Sequence, residues 1–315
     1  MSKSSIGKFF IFVISIVALS SCLTACSDPA GDSRAFAKTS DYLPPRIVGR
    51  IANHEITESS GLAASKCAPD VFWTHNDSGD DAFVFAIDET GRALGTWKVT
   101  GAENLDWEDI AALKDNKGIC YLYVGDIGDN EGQRAEHKIY RFREPKIEPE
   151  LQPSNRANPH QTEPASVITF VYPDGRHDAE TLLVHPMSGD IYVLTKRVNG
   201  PAGVYRIRFA GNAAATITAE KVGDVKVPAV PNGLLTGGDI SGDGKRIVLC
   251  DYTAAYEFSL PDEAGNFDEI WKQNPSTIDL GERKVGEAVC YSADGLSVFA
   301  TSERKDSPFI RAIRK

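Results

Sequence analysis

The chain has 315 residues, of which 42% are hydrophobic and 25% are charged, a composition typical of a folded protein with a substantial core. Its net charge is −10, from 34 Lys and Arg residues against 44 Asp and Glu residues. Because nucleic acids and anionic lipid headgroups are bound by clustered cations, this charge argues against both as partners and favours a divalent cation.

The first 25 residues have the three parts of a secretory signal peptide. Two lysines precede an apolar run at residues 9–19, which is too short to cross about 30 Å of hydrocarbon at about 1.5 Å per residue. Two overlapping lipobox patterns follow and end at Cys22 and Cys26. We expect lipid attachment at Cys26, with Cys22 as the alternative and secretion without a lipid as a further reading.

The signal predicts a lipoprotein of the bacterial cell envelope, anchored in the membrane by its lipid and exposed on the periplasmic face or the cell surface. Residues 26–44 are small and polar, which is typical of a flexible tether. The remaining residues, 45–315, are predicted to form one domain in an oxidising compartment.

This domain consists of repeated short strands that are separated by Asp-Gly, Ser-Gly and Asn-Gly turns. Five units align, and each begins with an acidic residue before a short apolar strand; these acids are Glu58, Glu108, Glu180, Asp239 and Glu287. The spacing of these acids, with about four strands in each unit, predicts an all-β fold, a five-bladed β-propeller.

Closure of the ring accounts for both ends of the domain. The last unit has room for only three strands before Lys315, so residues 46–51 are predicted to supply its outer strand and remove an open edge. A six-bladed ring, with a divergent blade in residues 141–175, is the main alternative, and a β-sandwich is a further one.

The four remaining cysteines lie on or between these strands. Cys67 and Cys120 each follow a first strand, in neighbouring units, so a disulfide between them is expected in an exported protein. Cys250 and Cys290 lie on inner strands, where a second disulfide and two buried thiols are both open readings.

The first strand of each propeller blade lines the central channel, so the five leading acids are predicted to form a ring. Like charges raise each other's pKa, and a hard cation such as Ca²⁺, which accepts six to eight oxygen ligands, would relieve the crowding. The predicted metal ligands are therefore Glu58, Glu108, Glu180, Asp239 and Glu287. Salt bridges from these acids to arginines are the competing interpretation.

The second strand of each blade runs back to the face that holds the leading acid, so its end adds polar residues to one rim. Asp77, Asp126 and Asp251 are candidates for a general base there, and Lys196, Arg134 and Arg304 for binding a phosphate. The competing interpretation is that these residues form tight turns. The chain has no Gly-x-Ser-x-Gly, no Walker loop and no His-Glu-x-x-His motif.

Three segments, 76–79 (NDSG), 106–111 (DWEDIA) and 125–130 (GDIGDN), resemble an uncharacterised family of secreted bacterial β-propeller proteins. More distantly, segments 107–108 (WE), 122–125 (LYVG) and 286–292 (GEAVCYS) are similar to the calcium-activated nucleotidase (apyrase) family, and phytase-like propellers offer a comparable likeness.

The apyrase resemblance implies a five-bladed propeller with Ca²⁺ in its channel and hydrolysis of a nucleotide or phosphoester. The segment 301–304 (TSER) departs from that family, since it lacks the family's double arginine. We therefore predict an envelope-anchored propeller that binds a divalent cation and acts as a Ca²⁺-dependent phosphohydrolase on a small anionic substrate. The alternatives are a non-catalytic propeller that binds an envelope partner around a structural ion, and a glycosidase.

Overall fold

The computed structural model describes residues 41–148, 150–209 and 215–315. The predicted signal peptide, both candidate lipidation cysteines and most of the predicted tether lie outside these residues. No helix in the described part of the chain is long and apolar enough to span a membrane.

The described residues form 22 strands and one short 3-10 helix, Phe267–Lys272. In chain order the strands are β1 (Arg46–Arg50), β2 (Ser59–Ala64), β3 (Val71–Asn76), β4 (Phe83–Asp88), β5 (Ala93–Lys98), β6 (Trp107–Lys114), β7 (Cys120–Asp126), β8 (His137–Arg143), β9 (His160–Gln161), β10 (Ser166–Val171) and β11 (Ala179–Val184). They continue with β12 (Ile191–Thr195), β13 (Ala202–Ile207), β14 (Ile217–Thr218), β15 (Glu220–Val225), β16 (Gly237–Ile240), β17 (Arg246–Cys250), β18 (Ala255–Ser259), β19 (Ser276–Ile278), β20 (Gly286–Tyr291), β21 (Ser297–Ser302) and β22 (Pro308–Ile313).

Burial along the strands follows their position in the sheets. Every residue of the inner strand β11 and of its neighbour β12 is buried, because both faces of these strands pack against adjacent sheets. The outer strand β10 alternates instead, with Ile168 and Phe170 directed into the core and their neighbours more exposed. The inner strands of the blades are therefore buried along almost their whole length, and the outer strands are partly exposed.

The strands form five sheets, and each sheet is one blade. Blades 1 to 4 have the orders β2-β3-β4-β5-β9, β6-β7-β8-β10-β14, β11-β12-β13-β15 and β16-β17-β18-β19, and blade 5 has the order β20-β21-β22-β1. The innermost strands contact each other in a closed ring, β2 with β6, β6 with β11, β11 with β16, β16 with β20 and β20 with β2. The prediction of a five-bladed propeller is confirmed.

Residues 141–175 do not form the sixth blade of the alternative prediction. They supply the end of β8, the outer strand β10 of blade 2, and the short strand β9, which pairs in parallel with β5 at the edge of blade 1. This segment therefore extends two existing blades.

The N-terminal segment closes the ring as predicted. Strand β1 pairs antiparallel with β22, with Arg46 opposite Arg311, and completes blade 5. The ordered attachment begins before the predicted boundary at residue 45, since Tyr42 already forms a bridge with Arg314. We call the surface formed by β1, β22 and residues 41–45 the seam, because both ends of the propeller meet there.

The buried carboxylate of Glu257, in blade 4, binds residues from both ends of the chain at the seam. Glu257 on β18 is 3% exposed and accepts hydrogen bonds from Tyr42 Oη at 2.6 Å and Tyr291 Oη at 2.9 Å. Arg314 Nη1 donates to the same carboxylate at 2.7 Å. A buried charge of this kind is stable only with such a set of partners, so it fixes where both chain ends attach.

The cysteines separate into one bond and two thiols. Cys67 and Cys120 form a disulfide between blades 1 and 2, as expected from their positions. Cys250 and Cys290 are buried free thiols, which settles the alternative that the sequence left open.

Stability in acid is expected to depend on His137, a buried residue of β8 that packs against Phe170 and Tyr172. Neither ring nitrogen has a hydrogen-bond partner among the described residues, and burial lowers the pKa of His137 to about 4. Between about pH 6.5 and this lowered pKa, the unfolded chain binds a proton here that the folded chain does not, so acidification reduces the free energy of unfolding.

The variant His137→Phe should remove this contribution, up to about 3 kcal/mol over that range. Urea unfolding of wild type and variant at pH 7, 5.5 and 4.5 measures the difference. Equal pH dependence of the two proteins would contradict the assignment.

Candidate metal centre at the channel mouth

Three glutamates lie at equivalent β-bulges in the inner strands. Glu108, Glu180 and Glu287 each lie beside the first residue pair of their hairpin, where the register of β6, β11 and β20 shifts. A bulge leaves its extra residue unpaired and redirects its side chain. The three side chains are nearly fully buried, and the charge of Glu180 raises the pKa of both other glutamates.

The other two acids of the predicted ring are not at this position, which corrects the prediction that all five share one phase. Glu58 is exposed and precedes β2 by one residue. Asp239 lies two pairs into its hairpin, opposite Val248, and its carboxylate accepts the backbone amides of Ile240 and Tyr291 at 2.8 and 3.0 Å. A carboxylate held in this way between two inner strands has a structural role and is not a ligand at the mouth.

The ends of second strands and the residues before inner strands complete the site. Asp77 follows β3, Glu303 follows β21, and Asp106 and Asp178 immediately precede β6 and β11. Six carboxylates whose pKa is raised, and two more whose charges contribute to that rise, form what we call the mouth cluster: Glu58, Asp77, Asp106, Glu108, Glu180 and Glu287, with Asp178 and Glu303.

Within the mouth cluster, Asp77, Asp106 and Glu108 come closest to the geometry of a cation site. One carboxylate oxygen from each lies within 4.8 Å of the other two. Asp77 is held in place by its backbone, whose amide donates to Glu58 O at 3.0 Å and whose carbonyl accepts from Asn104 Nδ2 at 3.0 Å. Oxygen-only donors at this spacing suit a hard divalent cation.

Burial and crowding raise the pKa of several carboxylates in the mouth cluster. Burial is the largest cause in Asp106, Glu180 and Glu287, and neighbouring acidic charges add to it: the pKa of Asp106 rises to about 6, that of Glu180 to about 8 in spite of Lys196, and that of Glu287 to about 10. The pKa of Glu108 is also well above its usual range, from burial and then from Glu180 and Asp77. A bound cation would favour the ionised forms and so oppose all of these shifts.

Two of the three cations predicted to bind phosphate at this rim are already engaged. The Lys196 ammonium contacts Glu180 and lies 5.3 Å from the centre of the Tyr252 ring. Arg134 Nη1 pairs with Asp126 at 2.8 Å and donates to Gly128 O at 2.7 Å. Both cations therefore offset part of the negative charge in and around the mouth cluster.

Two of the three candidate bases are likewise occupied. Asp126 is buried, paired with Arg134 and accepts the Asp106 amide at 3.2 Å. Asp251 accepts the amides of Thr253 and Ala254 and the hydroxyl of Tyr256, contacts that lower its pKa despite burial. Both residues order local backbone, whereas Asp77 belongs to the mouth cluster.

Arg304, the third candidate for binding phosphate, lies outside the mouth cluster. It follows Glu303 in the β21–β22 loop and lines a cleft in blade 5. The structure therefore brings Asp77 and Lys196 to the mouth and directs Arg304 to a neighbouring surface.

Asp106 and Asp178 were missed by the sequence reasoning, although a signal was available. Each is the first residue of an Asp-x-Glu pattern, Asp106-Trp107-Glu108 and Asp178-Ala179-Glu180. The two acids flank the first residue of the inner strand, so the bulge can direct both to the channel mouth. Glu303 was seen only as part of a second-strand end; the β20–β21 hairpin brings it near Glu287, while its nearness to Glu58 depends on ring closure.

Gly128 makes the approach of Asp106 and Glu108 possible. A Cβ atom on Gly128 would clash with carboxylate oxygens of both residues. Its backbone amide also donates to Asp106 O at 3.2 Å, which fixes the segment that carries Asp106 against the end of β7.

No family model matches the chain, and no curated protein matches it. Among solved structures, a PQQ-bound aldose sugar dehydrogenase from Streptomyces coelicolor aligns at 11% identity and a TM-score of 0.47, over 85% of this chain and 97% of that one. A gluconolactonase from Xanthomonas campestris aligns at 13% identity and a TM-score of 0.48, over 91% and 99%. These values carry no inference about activity, and the resemblance to calcium-activated nucleotidases stays a prediction.

The variant Gly128→Ala should disturb the mouth cluster and leave the blades intact. The added methyl group displaces the ends of two flexible side chains, so we expect a native circular-dichroism spectrum and at least a tenfold loss of Ca²⁺ affinity by calorimetry. Gly242→Ala is the matched control, since a Cβ atom at this exposed glycine meets no atom within 4 Å and its φ lies outside the left-handed region. Unchanged affinity in Gly128→Ala would contradict a site at Asp106 and Glu108.

Proposed function

We propose that the propeller binds a divalent cation, Ca²⁺, at the channel mouth and uses it to hydrolyse a phosphoester. The observation that carries the proposal is the approach of Asp77, Asp106 and Glu108 to within 4.8 Å of one another. Around them lie five further carboxylates of the mouth cluster, with Lys196 in contact with Glu180.

The donor set fits the cation by its chemistry. All donors are carboxylate oxygens, which Ca²⁺ prefers, and Ca²⁺ accepts six to eight of them in flexible geometry. Asp77, Asp106 and Glu108 would hold the ion, while Glu180 and Asp178 would lie around it. Asp239, whose carboxylate is bonded to amides deeper in blade 4, is excluded from this set.

A bound divalent cation supplies Lewis-acid polarisation of a phosphoryl oxygen. Glu58 is the best-placed general base of this chain, because its side chain is accessible to solvent, partial desolvation and the charges of Asp77 and Glu303 raise its pKa, and it adjoins the cation site. Arg304, which forms no ion pair with a described residue, remains available for an anionic group of the substrate.

A second candidate function is a non-catalytic binding propeller with a structural ion. The observation that favours it is the engagement of Lys196 with Glu180 and of Arg134 with Asp126. Two cations that the sequence assigned to substrate are thereby committed to carboxylates of the protein.

For the location of the protein we propose the bacterial cell envelope. The support is the sequence of the first 26 residues alone, namely the signal pattern and a lipobox ending at Cys26, with Cys22 as the alternative.

Thermal melting tests the cation. At 100 times its Kd, Ca²⁺ should stabilise the purified protein by about 2.7 kcal/mol over the EDTA-treated sample, which is roughly 5–10 °C for a domain near this size. Glu108→Gln should abolish the shift and should not destabilise the metal-free protein, because it removes one of the crowded charges. Glu220→Gln, at an exposed acid on β15, is the control that keeps the shift. No shift in wild type would remove the cation and the hydrolase together.

Phosphoester cleavage tests the enzyme. A panel of nucleotides and phosphomonoesters should be hydrolysed only with Ca²⁺ present. Glu58→Gln should lower kcat by about 10²–10⁴, the usual contribution of a general base, while the Ca²⁺-dependent melting shift persists. A melting shift without cleavage of any member of the panel would establish the structural-ion alternative.

A further inference from the structure

A cleft of about 870 Å³ lies in blade 5 beside the seam. Its walls are β1, the segment 280–284 and the loop between β21 and β22. The segment leading from the predicted lipid anchor enters the propeller here, since Pro45 and Arg46 form part of the wall.

The cleft is basic, although the chain as a whole carries −10. Three acids line it, Glu282, Glu303 and Asp306, together with six cations: Arg46, Arg50, Arg283, Lys284, Arg304 and Lys305. Arg50 is partly neutralised by Asp306, at 3.7 Å. Arg46, Lys284, Arg304 and Lys305 form no ion pair with any residue that the structure describes, so their charges face solvent.

The loop that carries Arg304 and Lys305 is held in an uncommon conformation. Arg304 and Asp306 have φ values of 82° and 57°, and they are two of the three non-glycine residues with positive φ in the described ranges. The Arg304 amide donates to Thr57 O at 2.8 Å, and Ser307 Oγ donates to the carbonyls of Glu303 and Arg304 at 2.6 Å. Such strain persists only where surrounding contacts hold it, and it often accompanies a binding surface.

Arg283 forms the inner wall without a carboxylate partner. Its Nη2 donates to Asp251 O at 3.0 Å, while Nε and Nη1 have no acceptor among the described residues. A Cβ atom on Gly286 would clash with the guanidinium group, so a glycine is required for Arg283 to lie here. The charge of this guanidinium therefore adds to the potential of the cleft.

Exposed apolar side chains lie on the seam, and one of them, Ile47, lines the cleft among these cations. Leu43, Ile47 and Ile313 are 45%, 62% and 37% exposed, and they are three of the eight large hydrophobic residues exposed in the described part of the chain. The Leu43 amide donates to Ile313 O, so the two residues are neighbours. Basic and apolar side chains side by side are typical of a surface that lies at a membrane interface.

We propose that the seam and its cleft form a docking surface for anionic phospholipid headgroups. Guanidinium groups bind phosphate oxygens in pairs, and each lysine or arginine near an anionic leaflet adds about 1 kcal/mol of attraction. Because this surface lies where the segment from the predicted lipid anchor enters the propeller, we assign the membrane as its occupant. The inference extends the proposed anchoring, shares only Arg304 with the proposed hydrolysis, and locally reverses the expectation drawn from the net charge.

Vesicle binding tests the proposal with the full chain carrying Cys22→Ser and Cys26→Ser, so that no lipid is attached. We expect binding to vesicles of phosphatidylglycerol and phosphatidylcholine to fall at least tenfold in Arg46→Gln/Lys284→Gln/Lys305→Gln, and binding to pure phosphatidylcholine to stay unchanged. Arg208→Gln, at an exposed arginine on blade 3, is the matched control and should bind like the parent.

Three outcomes would overturn the proposal. In the first, the triple variant binds anionic vesicles as tightly as the parent. In the second, Arg208→Gln weakens binding as much, per charge removed, as the triple variant does, which would show a general electrostatic effect. The third outcome concerns soluble tripolyphosphate, measured in EDTA: it binds the parent saturably and the triple variant weakly, while the two proteins bind vesicles equally. That result would assign the cleft to a soluble phosphorylated ligand. Circular dichroism and melting of each variant establish that it is folded.

Discussion

The carboxylate of Asp109 connects three blades at the centre of the propeller. It accepts the amides of Ile110 at 2.8 Å in its own strand, Leu182 at 2.9 Å in blade 3 and Gly238 at 3.3 Å in blade 4. Burial raises its pKa well above the usual range, while these three amides lower it. Inner strands of different blades form no ladder with each other, so a side chain of this kind sets their relative height. The geometry of the channel mouth, one residue away at Glu108, depends on it.

The crowding of carboxylates at the mouth is the second constraint. Two charges about 5 Å apart at an effective dielectric constant of about 20 repel each other by about 3 kcal/mol, and each of these groups has several such neighbours. Lys196 offsets one of them, at Glu180. The metal-free protein therefore holds some of these groups protonated near neutral pH, as the raised pKa values of Glu180 and Glu287 indicate. This crowding lowers the stability of the protein, and the proposed cation would relieve it.

Charge is distributed unevenly between the mouth and the neighbouring seam. Glu303 belongs to the mouth cluster and also lines the basic cleft, so acidic and basic surfaces meet at the β21–β22 loop. The net charge of −10 gives no indication of this arrangement. Average composition limits partners only where charges are evenly spread, and a closed ring that joins both chain ends brings parts of residues 45–50, 280–284 and 302–308 to one surface.

The sequence by itself determined the repeat, the five blades, the closing strand and the Cys67–Cys120 disulfide, because all of these follow from local strand patterns and their order. It placed Glu108, Glu180 and Glu287 correctly at the head of inner strands. The Asp-x-Glu pattern also offered Asp106 and Asp178. Only the tertiary structure decided that Asp239 lies deeper and that Glu303 comes near Glu58, since strand register differs by single residues that leave no periodic signal and the approach of blades 1 and 5 requires ring closure. The basic seam likewise exists only after ring closure brings distant segments together.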